Sequence, residues 1–201
     1  MMRRLVVATR NRGKLVEIEA IMRIDGLCLS ALGDWPAAPT TQETGSTFLE
    51  NAMLKAMDAA RFTGLPAIAD DSGLCVDALD GAPGVLSARF GGPGLDDVGR
   101  YELLLNTMRD VPEPQRGARF VCAVALAMPD GKVHTATGEL RGSIAISPRG
   151  AGGFGYDPVF FLPDRGCTVA ELPEEVKNAV SHRATALRAI APYVRVLVNS
   201  D

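Results

Sequence analysis

The segment Asp70-Asp71-Ser72-Gly73 has the most direct chemical meaning in this sequence. Two contiguous carboxylates at the end of a short apolar run, with a glycine turn behind them, suit a Mg²⁺ ion. Such an ion is held by one or two carboxylates and completed by substrate phosphates. The chain has only two histidines, so a divalent-cation site here is rich in oxygen. That favours Mg²⁺, with Mn²⁺ as the alternative, over zinc. A haloacid-dehalogenase site needs DxD with an intervening residue, whereas these aspartates are adjacent. The plain structural alternative is an Asp-Asp turn that caps the next element.

Thr9-Arg10-Asn11-Arg12-Gly13-Lys14 is a second chemical segment. Backbone N–H groups at a helix start, hydroxyl and amide donors, and a lysine together suit a chain of phosphates. It is not a Walker A loop, because Ala8 stands at the first glycine position and Leu15 replaces Ser/Thr. Without a ligand it reads as a polar strand-to-helix turn. Gly150-Ala151-Gly152-Gly153-Phe154-Gly155 matches GxGxxG letter for letter. A dinucleotide fingerprint must open a helix, however, and Tyr156-Asp157-Pro158 leads into the strand-like residues 159–162. The expectation is a flexible loop presenting Phe154, Tyr156 and Asp157 to a purine nucleoside, where stacking contributes roughly 1–3 kcal/mol. The alternative is a glycine-rich turn with core aromatics. Lys177 and Ser181-His182-Arg183 come last. A helix break between Val180 and Arg183 would turn His182 and Arg183 into a cleft. There they could donate to a purine 6-oxo group and leave a 6-amino group facing another donor, a strongly discriminating mismatch. A helix N-terminus or surface pair is the plainer account.

These segments need elements to carry them. Residues 5–8 read as a short buried strand, and Leu15, Ile18 and Met22 follow at helical spacing before Gly26. Residues 27–32 read as a second strand. Thr47-Phe48-Leu49-Glu50 is a capping box heading a helix that runs towards Gly64. Residues 66–69 then form a strand that delivers Asp70 and Asp71 at its end. A helix is expected near 96–108. Residues 119–128 and 132–139 flank Pro129-Asp130-Gly131, a hairpin signal. Strands at 143–147 and 159–162 follow, then helices near 173–180 and 182–196. The expected fold is α/β, an elongated mixed sheet with flanking helices and two lobes around a central cleft. No linker separates autonomous parts, so residues 1–201 read as a single domain.

Composition excludes several partners. The chain has 21 basic and 24 acidic residues, net −3, and 47% hydrophobic residues. That is ordinary globular chemistry, and it argues against basic surface for duplex nucleic acid. No apolar run approaches the roughly 20 residues of a membrane span. The apolar stretch after Arg3-Arg4 is too short for a signal-peptide core of about 7–15 residues. The four cysteines form no CxxC pair and suggest inert thiols in a reducing compartment, so a cytoplasmic location is expected. Only four of the 21 basic residues are lysines, and Lys14, Lys55 and Lys177 fall in or beside these segments.

Taken together the motifs carry a resemblance. Ala8-Thr9-x-Asn11-x-Gly13-Lys14-x-x-Glu17, Glu43-Thr44-Gly45 and Ala69-Asp70-Asp71-Ser72-Gly73 come first. Pro83-Gly84-x-x-Ser87-Ala88-Arg89, Gly152-Gly153-Phe154-Gly155-Tyr156-Asp157-Pro158 and Lys177-x-x-x-Ser181-His182-Arg183 follow in the same order. Over essentially its whole length the chain resembles the inosine triphosphate pyrophosphatase family. That resemblance implies hydrolysis of non-standard purine nucleoside triphosphates (ITP, dITP, XTP) to monophosphate and pyrophosphate by a homodimer. It implies Asp71 as general base and magnesium ligand, Ser72 on the substrate, and a grip on substrate by residues 9–14. Phe154, Gly155, Tyr156, Asp157, Lys177, His182 and Arg183 would line the nucleoside pocket. Many relatives have two acids before Thr-Gly, but here Gln42 precedes Glu43, so Glu43 is that segment's one candidate second metal ligand. Whether Glu43 or Asp70 joins Asp71 stays open at this level. The implied reaction is in-line attack of water on the α-phosphorus, with Mg²⁺ and Asp71 preparing the water. Two rivals are a regulator that binds a purine nucleotide without hydrolysing it, and a pyrophosphatase for other nucleotides.

Overall fold

Leu5, Val6 and Val7 are fully buried, and consecutive buried apolar residues of this kind suit a strand covered on both faces. The computed structural model describes residues 2–199; residues 1, 200 and 201 of the expected domain lie outside the described residues. Strand β1 (Arg3–Val7) runs parallel to β2 (Leu27–Ala31), with Arg3 opposite Leu27 and Val7 opposite Ala31. Helix α1 (Arg12–Ile21) makes the crossover, and Asn11 caps it by accepting the Lys14 N–H. Helix α2 (Phe48–Thr63) opens on the Thr47/Glu50 capping box and stops at left-handed Gly64. Strand β3 (Ala67–Val76) then pairs parallel with β1 on its other side.

Helix α3 (Asp97–Thr107) is capped by Asp96. The strands β4 (Gly117–Ala127), β5 (Val133–Ile144), β6 (Phe160–Leu162) and β7 (Cys167–Thr168) follow. Helices α4 (Glu174–Val180) and α5 (His182–Asn199) end the chain. The sheet has seven strands in the order β2-β1-β3-β4-β5-β6-β7, with β5, β6 and β7 antiparallel. This is a mixed α/β sheet with helices, the expected class. No described helix is long and apolar enough to cross a membrane.

Two compact units divide the chain. The first takes the chain up to Asp71, then Cys122–Gly138, then everything from His182. Period-two alternation along its strands separates two cores. Ala67, Ala69, Ala123 and Ala125 pack with Ala52, Ala56 and Ala59 of α2. Leu5, Val7, Ile68, Val124 and Leu126 pack instead with Ile18 of α1 and with Leu187, Ile190 and Val194 of α5. The second unit takes Ser72–Val121 and Glu139–Ser181. Its core gathers Leu74, Val76, Leu104, Met108, Tyr156 and Phe160, with Phe120 stacked on Phe160 at 4.3 Å between centroids.

Two strand boundaries differ from expectation. Asp70 and Asp71 are not at a strand end but inside ten-residue β3, which passes through Gly73 without a turn. Continuing the strand buries both acids, and the cations described below make that burial tolerable. The expected strand at 143–147 is the far end of β5, which stops at Ile144.

Candidate active site

Because Ile68 belongs to the α1/α5 core and Ala69 to the α2 core, the pleat of β3 sends Asp70 and Asp71 to opposite faces. Asp70 is 3% exposed. Its Oδ2 accepts from Arg183 Nε at 3.2 Å and Nη2 at 3.1 Å, and Lys14 Nζ stands 3.1 Å away. The Arg183 guanidinium also pairs with buried Glu17. Burial alone would lower the pKa of Arg183; the Asp70 and Glu17 carboxylates outweigh it and hold the guanidinium charged. This side of β3 is a buried clamp joining α1, β3 and α5.

Asp71 meets a different set. Its Oδ1 accepts from Lys55 Nζ at 2.7 Å, and the same ammonium donates to Glu43 Oε1 at 3.2 Å. Asn51 Nδ2 lies 3.4 Å from Asp71 Oδ2. Burial raises the Asp71 pKa, and the attraction of Lys55 and Lys14 only partly offsets it. Burial works against the charge on Lys55 too, yet Asp71, Asp70 and Glu43 together push its pKa up, so it stays an ammonium. Glu43 and Asp71 thus converge from separate segments on one cationic point. Hard carboxylate oxygens around a cation are the donor chemistry of Mg²⁺. Among the described residues no three His, Cys, Asp or Glu side chains form a metal-sized cluster. A pair of carboxylates is nevertheless enough for a Mg²⁺ that phosphates complete. Of the two candidates to join Asp71, the one facing it is Glu43.

The 9–14 segment forms the N-terminus of α1. Thr9 Oγ1 accepts the Asn11 N–H at 3.2 Å, and Asn11 Oδ1 accepts the Lys14 N–H at 3.1 Å. Arg10 donates to the Ala38 carbonyl at 2.9 Å, which ties this loop to the chain leading to Glu43. Arg12 is exposed, and Gly13 and Lys14 are half-buried. A cavity of about 400 Å³ opens beside Thr9, Arg10, Asn11, Arg12, Leu32 and Trp35.

In the second unit, the glycine-rich loop closes on itself. Asp157 accepts the Phe154 N–H at 3.0 Å and binds Lys177 Nζ at 2.6 Å, while Lys177 lies 4.7 Å from the Phe154 ring centroid. The Gly155 N–H donates to Asp97 at 2.8 Å. Ser72, the residue after Asp71 in β3, is half-buried. Three residues stand differently from the expectation of a loop and helix start open to ligand. Tyr156 is a core residue whose hydroxyl donates to the Ser87 carbonyl at 2.9 Å, so Phe154 is the half-exposed ring of this loop. Asp157 is turned inward because Phe154 and Lys177 need its charge. Arg183 is 2% exposed because Asp70 and Glu17 engage its planar fork. The helix break itself is present: Ser181 is extended, and buried His182 opens α5. Gly138 lets β5 approach that start, since a Cβ there would stand 2.3 Å from the His182 carbonyl oxygen.

Sequence reasoning passed over Asn51 and left Lys55 without a fixed role. Their i, i+4 spacing on a helix that follows Glu43 was the available signal.

An open mixed sheet whose third strand sets two acids against lysines from the flanking helices defines an α/β protein built for phosphate chemistry. The chain belongs to the Ham1 family, whose model matches residues 5–193. It is 55% identical over 195 residues to the dITP/XTP pyrophosphatase of Geobacter sulfurreducens, covering 96% of this chain and 97% of that one. The dITP/XTP pyrophosphatase of Streptomyces avermitilis is 51% identical over 199 residues, covering 98% and 100%. A solved HAM1 protein from Coxiella burnetii superposes with a TM-score of 0.89 at 40% identity, covering 97% of this chain and 100% of its own. The nucleoside-triphosphatase / dITP/XTP pyrophosphatase of Mycobacterium abscessus gives 0.76 at 44% identity, with coverage of 95% and 98%.

Proposed function

We propose that this protein hydrolyses non-standard purine nucleoside triphosphates (dITP, XTP and ITP) to the nucleoside monophosphate and pyrophosphate, removing them from the nucleotide pool. The observation that carries this reading is the convergence of Glu43, Lys55 and Asp71 in a chain that also brings Lys14 to β3. The names of its relatives agree with it.

Asp71 is the general base: it orients the attacking water and accepts its proton as the oxygen closes in line on the α-phosphorus. A carboxylate whose pKa burial has raised is a stronger base than an exposed one. Thr9, Asn11 and the N–H groups around Arg10, Arg12 and Gly13 seat the phosphates, and Lys14 and Lys55 balance their charge. Mg²⁺, with Mn²⁺ as the alternative, held by Glu43 and Asp71, would supply neutralisation of the charge on the phosphate oxygens. The α–β phosphoanhydride bond breaks and pyrophosphate leaves. Ser72 contacts substrate. Phe154 stacks on the base, with Gly155, Tyr156, Asp157 and Lys177 shaping its loop. His182 at the start of α5 donates to the 6-oxo group, and Arg183, held by Asp70 and Glu17, fixes that helix start from behind. The same reading makes the enzyme a cytoplasmic homodimer acting on free nucleotides, with neither nucleic acid nor membrane as partner.

The test is pyrophosphate release from ITP, dITP, XTP, GTP and ATP, with Mg²⁺ or with chelator. Metal-dependent release that favours the non-standard bases is expected. Comparable hydrolysis of ATP would remove the specificity claim and leave the phosphate chemistry standing. Binding without any release would favour the regulator that binds a purine nucleotide without hydrolysing it.

A further inference from the structure

Helix α2 places Asn51 and Lys55 one turn apart, and both reach the Asp71 carboxylate. Asn51 is fully buried, where an amide must find partners or destabilise the fold. Its Oδ1 accepts the Gly45 N–H at 2.8 Å, and its Nδ2 points at Asp71 Oδ2 at 3.4 Å. Chemistry fixes this orientation. A backbone N–H can only donate and an ionised carboxylate can only accept, so the amide oxygen faces Gly45 and the nitrogen faces Asp71.

Gly45 closes the turn that carries Glu43, and it is held tightly. A Cβ there would stand 2.6 Å from Glu50 Cβ and 2.7 Å from Asn51 Oδ1. The capping box and the Ser46 bonds to Glu50 anchor the start of α2, giving the amide a fixed origin. One buried side chain therefore touches both the strand carboxylate and the turn that delivers the loop carboxylate.

We propose that Asn51 is a positioning residue that sets Glu43 and Asp71 in register for a divalent cation, an inference that rests on the functional reading above. Partners behind metal ligands commonly govern affinity this way, and losing one costs about 10–100-fold. A residue that served the fold alone would lower the melting temperature and leave the metal dependence untouched.

The experiment compares the wild-type chain with Asn51→Ala and Asn51→Asp. It reads Mn²⁺ binding to the protein alone by electron paramagnetic resonance, the Mg²⁺ dependence of pyrophosphate release from ITP, and thermal melting. Asn51→Ala is expected to weaken Mn²⁺ binding about 10-fold or more, with a parallel rise in the Mg²⁺ needed for half-maximal rate. The KM for ITP at saturating Mg²⁺ should stay within about twofold, since Asn51 meets the Asp71 carboxylate and the Gly45 N–H rather than substrate. Asn51→Asp keeps the acceptor for Gly45 but sets a second carboxyl against Asp71 in place of a donor, so it should lose turnover. If Asn51→Ala melts below the assay temperature, Asn51→Ser takes its place. Unchanged Mn²⁺ binding in the folded variant overturns the proposal, and so does wild-type turnover by Asn51→Asp. Failure of all three variants to fold also overturns it, because the amide is then only a structural strut. A wild type that releases no pyrophosphate defeats the functional reading alone, and the Mn²⁺ comparison still decides Asn51.

Discussion

Asp70 and Asp71 are covalent neighbours with opposite duties: Asp70 is bound to Arg183 on one face of β3, and Asp71 to Lys55 on the other. Their neutral variants should therefore part company. Asp70→Asn leaves the buried Arg183 charge short of a partner, and breaking a pair this buried costs about 3–5 kcal/mol. Urea titration should show that loss as a lower midpoint. Asp71→Asn removes a carboxylate that burial already disfavours, so its midpoint should hold. Turnover of ITP by Asp71→Asn should fall about 10²–10⁴-fold, the usual range for a general base. Near-normal turnover would remove Asp71 from that role.

The pleat also shows what was legible beforehand. The capping box at Thr47 and Glu50, the hairpin at Asp130-Gly131 and the stop at Gly64 are local signals, and each lies where the sequence puts it. From sequence alone the strand before Asp70 and Asp71 ends there, since two adjacent acids look like a turn when their partners are out of view. Those partners, Arg183 and Lys55, lie 113 and 16 residues away, and no periodicity connects them to β3. With the strand extended, alternation alone would have separated the two acids. Tyr156 and Arg183 illustrate the same limit. Residue type names the chemistry a side chain can do, while long-range packing decides whether it faces ligand or core.

Arg116 gives a stability prediction for the second unit. It is 3% exposed, and its guanidinium donates to four carbonyls: Ile144 at 2.8 Å, Met108 at 2.7 Å, Ala145 at 3.1 Å and Val111 at 3.2 Å. It thereby closes the C-terminal end of α3 onto the end of β5. Arg116→Met keeps the aliphatic stem and strands those acceptors, so it should cost about 3 kcal/mol or more. Hydrogen exchange should localise the loosening to residues 104–116 and the end of β5. Uniform protection at the wild-type level would contradict this.

Tyr156 predicts a pH dependence. Burial pushes its phenol well above the ordinary value of 10.0, while its hydroxyl donates to the Ser87 carbonyl. In the unfolded chain the phenol ionises near pH 10, whereas in the folded chain it keeps its proton. The unfolded state then binds fewer protons, so stability falls as pH rises. The contribution of Tyr156 is complete below about pH 10 and is lost as pH climbs towards the raised folded value. Tyr156→Phe lacks this term. The gap between the urea midpoints of wild type and Tyr156→Phe should shrink from about pH 9 to about pH 11. A constant gap would mean that the phenol ionises with equal ease in both states.

Phe154 separates base binding from base reading. Lys177 backs its ring at 4.7 Å, and Asp157 holds both the Lys177 ammonium and the Phe154 N–H, so the ring stays put without help from substrate. A stacking surface accepts any base, because every base has a π face. Phe154→Ala should therefore weaken ITP and XTP to a similar degree, by about 1–3 kcal/mol, seen mainly as a higher KM. The preference for ITP over ATP should survive, because it is assigned to His182 at the start of α5. Truncating His182 makes the opposite prediction: a modest change in KM for ITP and a narrowed ITP-to-ATP ratio. Measuring kcat/KM for ITP, XTP and ATP on the two variants separates the roles. A collapse of the ITP-to-ATP ratio in Phe154→Ala would move base reading from α5 to the glycine-rich loop.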